Sequence, residues 1–215
     1  MNNGFQSGLE RRLEILKNRQ REELLDEVGQ MADREFAILS QEIKNGFEYE
    51  KAEIRKDLSE ALEEVFQKYK FMEERGETGD LKWIYFSFLR SSMIDDYPAY
   101  RIDFYDERDC YFYRECSGSW DFSFVFSRFR KLKGKIRDIF SCQSRVKEYE
   151  TDDMLYGFYE KFHLMAAELL GQLLQDSWDD YFNIKKPAVI RVKEGELFDR
   201  TNIIQEWYLQ ESGEI

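Results

Sequence analysis

The chain's single histidine, His163, stands three residues after Glu160 in Glu160-Lys-Phe-His163. Glu-x-x-His on a helix is the ligand pair of di-iron four-helix bundles, and such a centre needs a second copy of the motif. With one histidine in 215 residues, only a two-fold dimer could complete it, so a helix-face histidine pairing with Glu160 one turn back is the plainer reading. His163 is also the only histidine that could serve as a general base. No Gly-x-Ser-x-Gly elbow surrounds a serine, and Cys110, Cys116 and Cys142 have no basic residue beside them to activate a thiolate. The pair Gly76 and Gly79 lacks the Lys-Ser/Thr that completes a phosphate loop. No cofactor or metal is implied.

Carboxylates crowd the middle of the chain: Asp95, Asp96, Asp103, Asp106, Asp109, Glu115 and Asp121. Paired acids can do general acid/base or metal work, but Asp95-Asp96 and Asp106 to Asp109 occupy turn-like contexts where aspartate caps its own backbone. Asp103 differs, lying in an aromatic alternating run. Arg101, Asp103 and Tyr105 share the parity opposite to Ile102 and Phe104. This makes them the first residues to inspect for an active site, with a surface ion pair to Arg114 or Glu115 across a hairpin as the structural expectation.

The densest cationic feature is Arg128 to Arg137, with Arg128, Arg130, Lys131, Lys133, Lys135 and Arg137 basic and no acid among ten residues. Phe129, Leu132 and Ile136 recur at helical spacing, so this basic amphipathic helix either presents an interaction surface or docks its apolar stripe and neutralises acids of its own chain.

The elements that would position these groups follow from periodicity. Residues 9–74 lack proline and read as one very long helix. Residues 25, 36, 47, 58 and 69 are Leu, Phe, Phe, Leu and Tyr, and residues 32, 43, 54 and 65 are Ala, Ile, Ile and Val. Both tracks repeat every 11 residues, the period of a straight or slightly right-handed stripe. A third track, Val28, Leu39 and Ala61, is interrupted by Glu50. A helix of that length would span roughly 90 Å, more than a domain of the remaining size covers, so Phe36, Phe47 and Leu58 are candidates for pairing with another chain. Gly76 to Gly79 ends the helix, and four strands are expected from Leu81–Leu89, Pro98–Tyr105, Cys110–Cys116 and Trp120–Phe126. Helices are expected over 128–182, with a short strand and a short helix over 187–211.

The expected fold is thus α+β: a long N-terminal helix (1–75), coiled-coil-like, then a domain (76–215) with a four-stranded antiparallel meander (81–127) under C-terminal helices. Charge refines the picture. The chain carries 32 basic and 44 acidic residues, a net of −12 that leaves 76–150 neutral and places −5 and −7 at its two ends. This disfavours nucleic acid as a partner. There is no signal-like start or membrane span, and the three cysteines fit no disulfide framework, so a cytoplasmic setting is expected. The function expected is a non-enzymatic interaction or scaffold protein, pairing through its long helix with itself or another protein, as a homodimer in the simplest case. The alternatives are a carboxylate-based, metal-dependent enzyme on the sheet face, and an acidic inhibitor or nucleic-acid mimic.

Overall fold

A computed structural model of the chain describes residues 3–88, 98–111, 115–143, 146–175, 188–196 and 200–209. The fold is α+β. Helix α1 runs Asn3–Glu74 without a break. Its end is a Schellman motif: Gly76 is left-handed at φ 66°, Gly76 N–H donates to Glu73 O at 2.9 Å, and Glu77 N–H donates to Met72 O at 3.0 Å. There follow β1 (Trp83–Phe88), β2 (Tyr100–Tyr105), a 3-10 turn at Asp109–Tyr111 and β3 (Ser117–Trp120). Helix α2 (Ser123–Ser141), helix α3 (Glu148–Leu173) and strands β4 (Ala188–Glu196) and β5 (Thr201–Leu209) complete the order. No helix among the described residues is long and apolar enough to cross a membrane.

The sheet departs from the expected meander. It has five strands in the order β3-β2-β1-β4-β5 and is mixed, because β1 pairs parallel with β4 while the other pairings are antiparallel. The apolar run of β1 on both parities is that of a central strand, and β4 occupies the edge that a four-stranded meander would have left open. Where a strand was expected at Cys110–Cys116, the chain makes the 3-10 turn; residues 112–114 lie outside the described set. The strand expected at Trp120–Phe126 ends at Trp120. There the Asp121 carboxylate accepts the Ser123 N–H at 3.0 Å and starts α2. Phe122, Phe126, Phe129, Leu132 and Ile136 are one helical stripe, so the alternation over 122–126 is a short sample of a longer period. The helix expected at Thr201–Leu209 is β5, whose Ile, Trp and Tyr pair with β4 along its length. The end of the α3 pattern, expected near Trp178 to Phe182, lies outside the described residues.

The chain forms two compact units, Met1–Lys44 with Ser127–Phe162 and Asn45–Phe126 with His163–Ile215. In the first, Val28, Ala32, Leu39 and Ile43 of α1 are buried, as are Phe129, Leu132 and Ile136 of α2 and Leu155, Phe158 and Phe162 of α3. Phe36 meets Phe162 edge-on at 5.0 Å, and Phe129 meets Tyr159 at 5.3 Å. Each such side chain contributes about 1.5–3 kcal/mol by leaving water. Lys161 pairs with Asp33 at 2.7 Å and Lys135 pairs with Glu35 at the rim of this core.

In the second unit the sheet face formed by Ile84, Phe86, Tyr100, Ile102, Phe104 and Val192 is buried, and so are Leu58, Leu62, Val65, Phe66 and Tyr69 of α1. Tyr69 meets Phe104 at 6.0 Å. A Cβ on Gly118 of β3 would lie 2.5 Å from Val65 Cγ2, so this strand can approach α1 only without a side chain. Gly118→Ala is expected to destabilise the chain by about 1–3 kcal/mol through overpacking. The check is the urea midpoint, which should fall at unchanged slope.

Candidate functional site

The sheet face carrying Arg101, Asp103 and Tyr105 brings together residues from five segments. Arg101 donates through Nε to both Asp103 oxygens at 3.0 and 2.9 Å, and through Nη2 to Asp103 Oδ1 and to Glu115. Ser117 Oγ donates to Glu115 Oε1 at 3.0 Å. Asp103 is fully buried. Burial pushes its carboxyl above the ordinary 3.8, with Arg101 pulling the other way. Tyr105 is buried beside it, and burial together with the Asp103 charge raises its phenol, which keeps it neutral.

A second cluster sits on the same face. Tyr85 Oη donates to Asp109 Oδ1 at 2.6 Å, and Lys193 Nζ donates to Tyr85 Oη at 2.5 Å and to Asp109 Oδ2 at 3.3 Å. Lys193 Nζ also lies 4.1 Å from the Trp83 ring centroid. Burial and the Asp109 hydrogen bond hold the Tyr85 phenol far above its ordinary value. Tyr85 and Tyr105 touch edge-on at 5.4 Å, which joins the clusters. Both are closed networks: Arg101 is shared by Asp103 and Glu115, Lys193 meets Asp109, and both Asp103 oxygens are already occupied by guanidinium donors. Chemically the face positions strands.

A third acid pins the turns. Asp106, 1% exposed, accepts from Gly79 N–H at 2.9 Å, Thr78 Oγ1 at 3.2 Å, and Arg108 N–H and Nε at 2.9 and 3.0 Å. Burial alone would raise its carboxyl, but the Arg108 guanidinium and these donors outweigh that and hold it well below 3.8.

His163 and Glu160 do not form a site together. Glu160 is exposed, whereas His163 is buried with Nε2 2.6 Å from Glu194 Oε1 and its ring 3.7 Å from that of Phe88. Among the described residues no group of three or more His, Cys, Asp or Glu could hold a metal ion. Of the basic run, Lys133 is buried, Lys131 exposed, and Lys135 paired with Glu35; Arg128, Arg130, Lys133 and Arg137 all have interactions. Phe36 is half-buried against Phe158 and Phe162, and Phe47 and Leu58 are buried in the chain's own core. Asp95, Asp96 and Arg114 lie outside the described residues.

No protein-family model, curated protein or solved structure matches this chain. Function must therefore be read from surfaces that remain uncommitted, and two stand out. Leu13, Ile15 and Leu16 near the start of α1 are 49%, 59% and 54% exposed. In the second unit, a cavity of about 190 Å³ is lined by Glu50, Glu53, Ile54 and Asp57 of α1, by Trp120, Phe122 and Phe124, and by Ser123. Trp120 and Phe122 stack at 4.2 Å on its wall, and Phe122 holds a strained φ of 39° while fully buried. Residues 50, 53, 57, 60 and 64 are all carboxylates at heptad spacing. That signal stood in the sequence beside the apolar tracks. Tyr85, Asp109 and Lys193 carried none, since Lys193 is 108 positions from Tyr85.

Two expectations follow. Asp106, depressed in the folded state, adds stability that is present above the unfolded value near 4 and is lost as pH falls below it. Asp106→Asn should cost about 1–3 kcal/mol at neutral pH, and the gap to the wild type, read by urea titration, should narrow below pH 4. Cys116 is buried, its thiol pushed up to about 11 by burial, whereas Cys142 is exposed. At pH 8 a thiol reagent should label Cys142 promptly and Cys116 only on unfolding, as peptide mapping would reveal.

Proposed function

We propose that this chain is a non-enzymatic interaction protein of the cytoplasm that pairs, with itself or another protein, through the first turns of α1. The observation that carries this reading is the exposure of Leu13, Ile15 and Leu16 on a helix whose stripe from Val28 to Tyr69 is buried inside the chain. The part of α1 left to meet a partner is its head. Leu13 and Leu16, one turn apart, share a face of the helix, and each would contribute about 1.5–3 kcal/mol on burial. The closed ion networks on the sheet face favour an interaction role over carboxylate catalysis. Cysteines that are all unpaired fit the compartment.

A second reading, an acidic protein that blocks a basic partner, is favoured by the exposed row Glu50, Glu53, Asp57, Glu60 and Glu64.

Leu13→Glu with Leu16→Glu should abolish association of the full chain in sedimentation velocity while leaving its thermal midpoint unchanged, because exposed positions contribute little to folding. Retention of full association by that variant would overturn the reading.

A further inference from the structure

We infer that the outer edge of β5 pairs antiparallel with the same strand of a second copy of this chain, about a two-fold axis at Trp207. This surface goes beyond the pairing proposed above and uses no residue of the α1 head.

Backbone direction decides which groups of β5 are open. Arg191 N–H donates to Lys82 O at 2.9 Å, so this residue of β4 turns toward β1. Its neighbours Ile190 and Val192 turn the other way and face Trp207 and Gln205 of β5. Glu206 and Tyr208 therefore point their N–H and C=O groups out of the sheet. Among the described residues nothing donates to those groups or accepts from them.

The two ends of the sheet are guarded unequally. Strand β3 is four residues long, its Ser117 O accepts from Lys68 Nζ of α1 at 3.3 Å, and its Gly118 lies against Val65. Strand β5 is nine residues long and lacks the usual edge guards. It has no lysine, arginine or proline, and its one acid, Glu206, is paired with Arg191 at 2.7 Å. The bulge opposite Val192 and Lys193 leaves the run from Gln205 to Leu209 regular. Tyr208 is 69% exposed, and its phenol donates to Glu206 Oε2 at 2.8 Å.

Such a run can take another strand, and its own sequence is complementary to itself. Centred on Trp207, antiparallel pairing sets Glu206 opposite Tyr208 of the second copy and Tyr208 opposite the other Glu206. Each is a hydrogen-bonded pair that exchanges two main-chain bonds, so the contact makes four. Centring on Glu206 would set two carboxylates directly opposite each other, which is destabilising. Centring on Tyr208 would close one such pair within Gln205 to Leu209 in place of two. The Trp207 register opposes each carboxylate to a phenol, a hydrogen-bond donor. The contact is isologous, so it closes as a dimer and does not grow. Four main-chain bonds make it weak by itself.

The full chain carrying Leu13→Glu with Leu16→Glu isolates the edge from the head. Residue-resolved hydrogen exchange should find the Gln205 and Trp207 amides slow at every concentration. The Glu206 and Tyr208 amides should exchange fast in dilute solution and slow by about tenfold or more as concentration rises. Tyr208 is exposed, so its substitutions should leave the thermal midpoint in place. In that background the slowing should rank Tyr208→Lys above Tyr208→Gln above Tyr208→Glu, about tenfold from first to last, by the charge set opposite Glu206 of the second copy. Glu206 and Tyr208 amides that stay fast up to the solubility limit would overturn the proposal. So would slowing that dilution does not reverse, which would assign the edge to another segment of the same chain. Tyr208→Glu protected as well as Tyr208→Lys would overturn it too. Retention of full association by the head variant bears on the head alone, and the alternating amides bear on the edge alone, so the two readings fail separately.

Discussion

An apolar stripe on a proline-free helix has to be covered, and most of this chain is what covers it. From Val28 to Tyr69 the buried positions of α1 take in Ala32, Ile43, Ile54 and Val65 of one 11-residue track, Phe47, Leu58 and Tyr69 of the other, and Val28 and Leu39 of the interrupted third, with Leu62 and Phe66 beside them. Val28, Ala32, Leu39 and Ile43 are enclosed in one compact unit, and Phe47, Ile54, Leu58, Leu62 and Val65 in the other. Side chains that meet a helix at this spacing come from wherever the topology can bring them. For the second unit that includes β3, whose Gly118 exists as glycine because Val65 stands where its Cβ would be. The same constraint defines the exceptions. Where α1 lacks a cover, at Leu13 and Leu16, and where Glu50 breaks the third track, the surface is left for other uses.

Charge is distributed with the opposite logic. Inside the second unit these acids each have a basic partner: Asp103 and Glu115 share Arg101, Asp109 meets Lys193, and Asp106 meets Arg108. The two most buried of them titrate in opposite senses. Asp106 is held low by its donors and favours the fold at neutral pH, whereas burial raises Asp103, so its preference for the folded state fades as pH rises. Exchanging Arg101 and Asp103 together for apolar side chains would thus not cost what the ion pair's geometry suggests, whereas removing the arginine alone would leave a buried carboxylate unpaired. On α1 further acids, Glu50, Glu53 and Asp57 among them, stand on exposed positions, where water rather than protein screens them.

Local signals carried most of the helical architecture. The absence of proline and the glycine stop at Gly76 delimit α1 to within a few residues at its start, and α2 and α3 follow their stripes. Local signals failed where a short window fits two periods. Phe122, Phe124 and Phe126 alternate like a strand but begin a helix, and Ile203, Ile204, Trp207 and Tyr208 space like a helix but form β5. Partner choice left no mark at all, because nothing near Val192 says that it lies beside Ile84 in parallel. Sites obeyed the same division. Arg101 and Asp103 sit two apart on β2 and Glu115 just precedes the neighbouring β3, so alternation and nearness in sequence could place them; Tyr85, Asp109 and Lys193 meet through long-range pairing and could not be placed.

That parallel seam has a consequence for how the sheet is made. The three strands β3-β2-β1 and the hairpin β4-β5 each close over intervals of eleven residues or fewer, but the seam between β1 and β4 waits for residues about a hundred positions downstream. Closing so long an interval is entropically slow, and strands of this kind are finished late. During synthesis the apolar edge of β1 therefore faces water, with its N–H and C=O groups unsatisfied, until Ala188 to Glu196 emerges. A nascent chain at this stage is the species most exposed to aggregation, and the one for which a holding chaperone would matter.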